Sequence, residues 1–333
     1  MPQGSTPETM VKYSVVIPVR DHMTGIGVPL RALEDQTIDR ALYEVIVVDD
    51  GSTDGTGGAA DRHGVRVLRQ ESSGPAAARN LGARAAAGAI LLFTDADCRP
   101  ERDWIERLTA PFVDPDVFGV KGAYLSSQSS LIARFVQQEY EAKYRRMARF
   151  SSIDFIDTYS AAFRRDDFLA LGGYDESYPG ASVEDQEFSF RAAAAGLRMV
   201  FEPGALVTHE HAATLFRYAR KKFNIGFWKV KLLRRHPGKA VRDSHTPQML
   251  KLQMVLAVIV LAGIAARLAG WGSGLLLAGC GLFLAATIPA ALGSFPADPA
   301  AALLTPLFLF VRALALTLGL LWGTVSQLRR TPS

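Results

Sequence analysis

Cysteine is nearly absent: Cys98 and Cys280 are the only two in 333 residues. Two are too few for a disulfide framework, and no Cys/His group has zinc spacing. That composition suits a reducing compartment for the soluble part. The first 13 residues are polar and lack the apolar core of a signal peptide. No phosphate loop, Gly-x-Ser-x-Gly element, internal repeat or low-complexity linker is present. Between Arg217 and Arg242 there is no acid, and residues 268–297 carry no charge of either sign.

What is present excludes a disordered chain, since 49% of residues are hydrophobic and 21% charged. The overall charge of +4 hides a division. Residues 1–210 hold 22 Lys and Arg against 31 Asp and Glu, whereas residues 211–333 hold 15 against 2. Ten of those fifteen bases lie between Arg217 and Arg242. A basic run can signal nucleic acid, but this one precedes long apolar segments, so it reads as the cytoplasmic edge of a membrane anchor and no nucleic-acid partner is expected.

The first 210 residues alternate short apolar runs with helical patterns. Ser14–Val19, Glu44–Asp50, Val65–Arg69 and Ala89–Thr94 read as buried strands. Between them, Val28–Gln36, a short stretch near Gly55–His63, and Pro75–Ala87 read as helices, with Pro75 suited to a first turn. Val117–Leu125, Thr158–Arg164 and Met199–His209 are further strands. Ser130–Arg149, Val183–Ala195 and Thr214–Arg235 are further helices. The order predicts an α/β, Rossmann-like, mostly parallel sheet that binds ligand at its strands' carboxyl ends. Thr214–Arg235 mixes aromatic and basic residues, as an interfacial helix on anionic lipid does; the plainer reading is a helix packed on the soluble part. Apolar segments follow at about 252–266, 271–292 and 303–323, each suited to a span. Arg312 falls within the third, where it must face protein, water or a headgroup. Three spans are expected, although two would keep Arg329 and Arg330 inside.

Phe93-Thr94-Asp95-Ala96-Asp97 is an apolar strand running into two aspartates. In extended chain, residues two apart point the same way, and two hard oxygen donors suit Mg²⁺ or Mn²⁺. The plainer reading is a pair of loop aspartates before the next helix. Val45–Val48 runs likewise into Asp49 and Asp50; Asp50 can accept a hydrogen bond from a base or ribose, or make a turn into Ser52–Asp54. Arg79 lies one turn into an Ala-rich helix, where it meets a base or diphosphate or is a surface charge. His209-Glu210-His211 closes the last strand, with His209 and His211 on one face. A dinucleotide-like pattern, Gly55–Ala60, follows the second strand rather than the first and so lacks its required context.

Taken together these residues resemble the family-2 glycosyltransferases of the GT-A fold. Ser14–Asp21 looks like the opening strand with its Pro-containing loop, Val47–Thr56 the second-strand motif, and Gly74–Gly82 the next helix. Asp95-Ala96-Asp97 resembles the metal motif, and Gly172–Glu176 with Val183–Asp185 the acceptor-side region. The resemblance spans Tyr13 to His211. It implies transfer of a sugar, with inversion, from a nucleotide diphosphate sugar to a hydroxyl. It further implies that Pro18 and Arg20 line the nucleotide pocket, Asp50 binds the base, Arg79 approaches base or phosphate, and Asp95 contacts ribose or sugar. Asp97 would hold a divalent metal, Mg or Mn, with His209 completing the site. Asp185 would be the general base. Arg20 stands where many members carry an aromatic residue.

No Gln-x-x-Arg-Trp follows Asp185, which disfavours the processive synthases. The Glu184-Asp185 pair separates the chain from dolichyl-phosphate-mannose-synthase-like enzymes, whose phosphate acceptor needs no strong base. The expected organisation is a disordered segment 1–12, a GT-A catalytic domain 13–211, a basic interfacial segment 212–245, a transmembrane region 246–328 and a tail 329–333. The expected enzyme sits in the inner membrane with its catalytic domain cytoplasmic and a lipid-linked or membrane-proximal glycan as acceptor. A polyprenyl-phosphate glycosyltransferase, a non-catalytic membrane assembly or export subunit and, on the glycine pattern alone, a nicotinamide dehydrogenase are the rivals.

Overall fold

A computed structural model describes residues 11–180, 182–240 and 246–328. The expected disordered start, the tail with Arg329 and Arg330, and the end of the basic run at Arg242 lie wholly or largely outside the described residues. The described chain divides into two compact units. One comprises residues up to Leu125 with Arg146–His209; the other comprises Ser126–Arg145 with the residues from Glu210 onward.

The first unit is built on one eight-stranded sheet. Its strands are β1 (Tyr13–Val19), β2 (Tyr43–Asp49), β3 (Arg66–Arg69), β4 (Ile90–Phe93), β5 (Cys98–Pro100), β6 (Val117–Leu125), β7 (Ala161–Arg164) and β8 (Arg198–His209). Their spatial order is β3-β2-β1-β4-β7-β6-β8-β5. The β3-β2-β1-β4 half is parallel throughout, as the alternation with helices α1 (Gly27–Glu34), α2 (Thr56–Asp61) and α3 (Pro75–Ala85) requires. The other half is mixed: β7 runs antiparallel to both β4 and β6, while β6 and β8 are parallel. Three further helices complete the unit, α4 (Trp104–Thr109), α6 (Arg165–Ala170) and α7 (Glu184–Ala194); the division between the units falls within α5 (Leu131–Met147).

The core lies between sheet and helices, where Phe93, Phe118, Phe163, Phe168, Tyr174 and Phe188 are buried together. Helix α3 shows why its sequence is what it is. A Cβ on Gly82 would stand 2.3 Å from Val16 Cγ1, so glycine permits the helix to lie against β1. Asn80 donates to the Tyr174 carbonyl at 2.8 Å and accepts the Tyr174 N–H at 2.9 Å, which ties the Gly172-Gly173 turn to α3. Both glycines have positive φ, 85° and 66°, a region costly for other residues.

The second unit holds α8 (Leu215–Arg235), α9 (Gln248–Leu268), α10 (Gly274–Ser294) and α11 (Pro299–Leu328) with all but the last two residues of α5. Among the described residues three helices are long and apolar enough to cross a membrane, Gln248–Leu268, Gly274–Ser294 and Pro299–Gln327, with 18-residue stretches of mean hydropathy 2.2, 2.1 and 2.0. The first and third extend past their apolar segments on both sides, because helical hydrogen bonding continues into their less apolar ends, whereas the second begins at Gly274, inside the segment expected from residue 271. Arg312 of α11 faces protein. It bonds Glu139 of α5, and its Nη2 donates to Gln253 of α9 at 2.8 Å. Glu139 also accepts from Tyr218 at 2.9 Å and pairs with Lys222 at 3.4 Å, both on α8. Burial opposes the charge of Glu139, but Lys222 and Arg312 outweigh it and hold the carboxyl below its ordinary value. Gly319 and Gly323 of α11 let α8 approach closely: a Cβ on either would lie 2.1 or 2.5 Å from an α8 carbonyl oxygen.

Candidate active site

The carboxyl ends of the parallel strands β1, β2 and β4 deliver one cluster of loops. Pro18 tolerates its place in β1 because the pairing with β4 stops at Val16, so its missing N–H lies beyond that ladder. The next loop is stitched to the one after β2: Asp21 N–H donates to Ser52 Oγ at 2.9 Å, Thr53 N–H to Asp21 Oδ1 at 2.8 Å, and Met23 N–H to Asp54 at 2.9 Å. Among the described residues Asp21 is the one non-glycine with positive φ, 47°. Such strain persists where surrounding bonds hold it and clusters at functional sites. Arg20 is exposed and donates to Ser72 Oγ. Asp50 is buried; it accepts from Gln70 Nε2 at 2.7 Å and from the N–H groups of Ser73 and Gly74 at 2.8 and 2.9 Å. It therefore shapes the loop that enters α3, while its neighbour Asp49 makes the turn by accepting the Ser52 N–H at 2.9 Å.

Arg79 is buried rather than set on a surface. Its Nη2 donates to Asp95 at 2.7 Å and its Nη1 to Glu184 at 3.4 Å. Burial works against its charge, yet the two carboxylates prevail and raise its pKa above the ordinary value. Arg79 thus joins the strand-end aspartate to the residue preceding Asp185.

Asp97, Cys98 and His209 converge beyond β4. Strand β5 pairs with β8 so that Cys98 stands opposite His209. Asp97 Oδ1 is 3.6 Å from His209 Nδ1. The His209 ring is stacked on Tyr159 with planes 3° apart and meets Tyr124 edge-on, which fixes its orientation. Burial opposes ionisation of Asp97, but the hydrogen bond and charge of His209 hold it below the usual carboxylate value. An ionised carboxylate and an oriented imidazole are a donor set that fits a divalent cation. His211 goes elsewhere: its Nε2 is 3.0 Å from Gln137, and its ring stacks on Tyr140.

Asp185 opens α7, and its Oδ1 accepts the Gln186 N–H at 2.7 Å. Burial first, then the charges of Glu184 and Asp157, push its carboxyl well above the ordinary value. A buried ion pair, Lys121 with Asp157, lies beside it, and Tyr159 donates to Asp157. The arrangement offers two chemistries: an oxygen–nitrogen pair at Asp97 and His209 that fits a cation, and at Asp185 a carboxyl whose surroundings favour its protonated form.

Residues 14–172 match the family model described as Glycosyl transferase family 2. That stretch of the chain is a family-2 glycosyltransferase domain. It is 33% identical over 239 residues to pre-mycofactocin glycosyltransferase of Mycobacterium tuberculosis, covering 68% of this chain and 48% of that one. It is 40% identical over 105 residues to glycosyltransferase AglE of Haloferax volcanii, covering 30% and 34%. The chain therefore spans no more than about half the length of these curated relatives. Its fold is that of the mannosyltransferase PcManGT from Pyrobaculum calidifontis, solved with GDP-Man and Mn²⁺, at a TM-score of 0.60 and 22% identity over 97% of this chain and 91% of that one. The family-2 domain is thus of GT-A type.

Three features of this family-2 domain are not read from its sequence as site residues. Cys98 enters the aspartate–histidine cluster because β5 pairs with β8, and a three-residue strand leaves no periodic signal. Lys121 did leave one, as a lysine inside the apolar strand Val117–Leu125. Its partner Asp157 lies 36 residues away and could not be paired with it from spacing.

Proposed function

We propose that this chain is a membrane-anchored, inverting, metal-dependent glycosyltransferase. It would move a sugar from a nucleotide diphosphate sugar to a hydroxyl of a lipid-linked or membrane-proximal glycan. What carries the proposal is one constellation: a cation-fitting pair, Asp97 with His209, and a raised-pKa carboxyl, Asp185, joined through Asp95, Arg79 and Glu184. Pro18, Arg20 and Asp50 bound the nucleotide end. Asp95 faces ribose or sugar. Arg79 serves chiefly by holding Asp95 and Glu184 in place. Asp97 and His209 would hold Mg²⁺ or Mn²⁺, which when bound neutralises charge on the leaving diphosphate; the Pyrobaculum structure holds Mn²⁺ with its GDP-Man.

In the proposed step an acceptor hydroxyl attacks the anomeric carbon in line. The new carbon–oxygen bond forms as the bond to the diphosphate oxygen breaks, and the nucleoside diphosphate leaves from the opposite face. The hydroxyl proton passes to Asp185, and configuration inverts. The helices α9–α11 would anchor the chain, and the basic face of α8 would lie on anionic lipid, at about 1 kcal/mol per nearby base. Nucleotide sugars are cytosolic, so protease added outside intact cells should leave residues 1–245 uncut; cleavage there overturns the orientation.

Purified protein incubated with a panel of radiolabelled nucleotide sugars and native membranes tests the function. Label should enter an alkali-stable glycan or glycolipid. Label in an acid-labile polyprenyl phosphate product would give the phosphate-acceptor enzyme instead, and no transfer or donor binding would leave the non-catalytic subunit.

A further inference from the structure

We propose that Cys98 is a metal ligand, so that Asp97, Cys98 and His209 form a three-donor site favouring a borderline-soft divalent ion of the Zn²⁺ or Co²⁺ kind. Cys98 here extends the metal site proposed above for Asp97 and His209, depends on it, and would shift its preference from the Mg²⁺ or Mn²⁺ named there toward a softer ion.

The three donor atoms form a nearly equilateral triangle. Asp97 Oδ1 and His209 Nδ1 are 3.6 Å apart, Cys98 Sγ and His209 Nδ1 3.7 Å, and Cys98 Sγ and Asp97 Oδ1 3.8 Å. With bonds of about 2.0–2.3 Å to nitrogen, oxygen and sulfur, tetrahedral donors stand roughly 3.4–3.6 Å apart. Adjacent donors on an octahedral Mg²⁺, with bonds of about 2.0–2.1 Å, stand only about 2.9 Å apart. The triangle is therefore close to the tetrahedral spacing and wide for Mg²⁺. A thiolate donor adds a chemical preference in the same direction.

The donors are also held before any ion arrives. The pairing of Cys98 with His209 across β5 and β8 fixes two of them through backbone, and Tyr159 and Tyr124 fix the imidazole plane. Cys98 is fully buried, and its sulfur lies within reach of both a carboxylate and an imidazole. Access comes from the other side, since the Asp97 side chain is 54% exposed. Coordination would displace the thiol proton to solvent.

Cobalt reports the ligand directly, because a Co²⁺–thiolate bond gives a near-ultraviolet charge-transfer band that oxygen and nitrogen donors do not. The chain has only two cysteines, so the detergent-solubilised full-length Cys280→Ser variant isolates Cys98. Titration of that variant with Co²⁺ alone should develop the band together with the intense visible bands of tetrahedral cobalt. Asp97→Ala should abolish both. Cys98→Ala, which keeps a small apolar side chain in the buried position, should lose the band and bind Zn²⁺ at least about tenfold more weakly in calorimetry, with a smaller change for Mn²⁺. Co²⁺ binding that depends on Asp97 but shows no band in Cys280→Ser overturns the proposal and leaves the two-residue metal site standing. No binding of Co²⁺, Zn²⁺ or Mn²⁺ by the wild type removes both.

Discussion

Replacing Asp185 by asparagine separates a proton acceptor from a helix cap. Asn keeps the shape and keeps an oxygen for the Gln186 N–H, now 2.7 Å from Oδ1, so the first turn of α7 loses little. It cannot take a proton. The expected result is a transfer rate lower by about 10²–10⁴-fold with donor affinity unchanged, since general-base assistance is worth that much. Stability should move the other way. The folded protein holds this carboxyl well above its unfolded value, by burial and by the charges of Glu184 and Asp157. Its contribution to stability is thus complete below the unfolded carboxylate pKa and is lost as pH rises through the folded one. Asp185→Asn never acquires the unfavourable charge that the wild type takes on as pH rises through that folded pKa. The variant should therefore gain stability relative to wild type as pH rises, and its melting temperature should change less with pH. The measurements are initial rates with the preferred nucleotide sugar, calorimetric donor affinity, and melting followed by circular dichroism across pH. Near-normal turnover would remove Asp185 from the mechanism and leave Glu184 or Asp175 as candidates. Loss of donor affinity in step with rate would make it a donor-binding residue.

Asp97→Ala should abolish or severely weaken nucleoside diphosphate binding, and chelator should reproduce this in wild type; calorimetric affinity unchanged by chelator would refute metal dependence. Arg79→Met strands two carboxylates, one of them nearly fully buried, and should cost about 3–5 kcal/mol in chemical denaturation of the sheet unit; a loss below about 1 kcal/mol would show the network relaxes. Glu139→Gln leaves Arg312 and Lys222 facing each other without their shared carboxylate and should lower the melting temperature of the detergent-solubilised chain. Because Glu139 titrates below its unfolded value, its contribution is present above that value and fades as pH falls through the folded one, so wild type and variant should converge in acid.

Much of the architecture was legible because burial on both faces forces continuous apolar strands. Val117–Leu125 matches β6 at both ends, and the strands ending at Val19, Asp49 and Phe93 differ from expectation by a residue or so. Pro75 marked the start of α3 correctly, and the apolar tail announced three long helices. Direction was less legible. Ala161–Arg164 carries no local cue that it runs antiparallel to β4, since that depends on the path of the preceding chain. The membership of the site was visible as residue types at strand ends, but its bonds were not. Arg79 and Glu184 are 105 residues apart, and Arg312 and Glu139 are 173 apart. A charged residue in an apolar setting signals that a partner exists, without saying which.

The arginine shared by Asp95 and Glu184 bears on how such a chain can be altered. A chimaera that borrowed the segment around Gly172–Ala195 from another member, in search of a new acceptor, would also bring in a foreign partner for Arg79. The donor half would register that change through Asp95, although none of its own residues had been exchanged. Substitutions on the two sides should therefore fail to add, and positions 79, 95 and 184 are best moved between homologues as one inherited block.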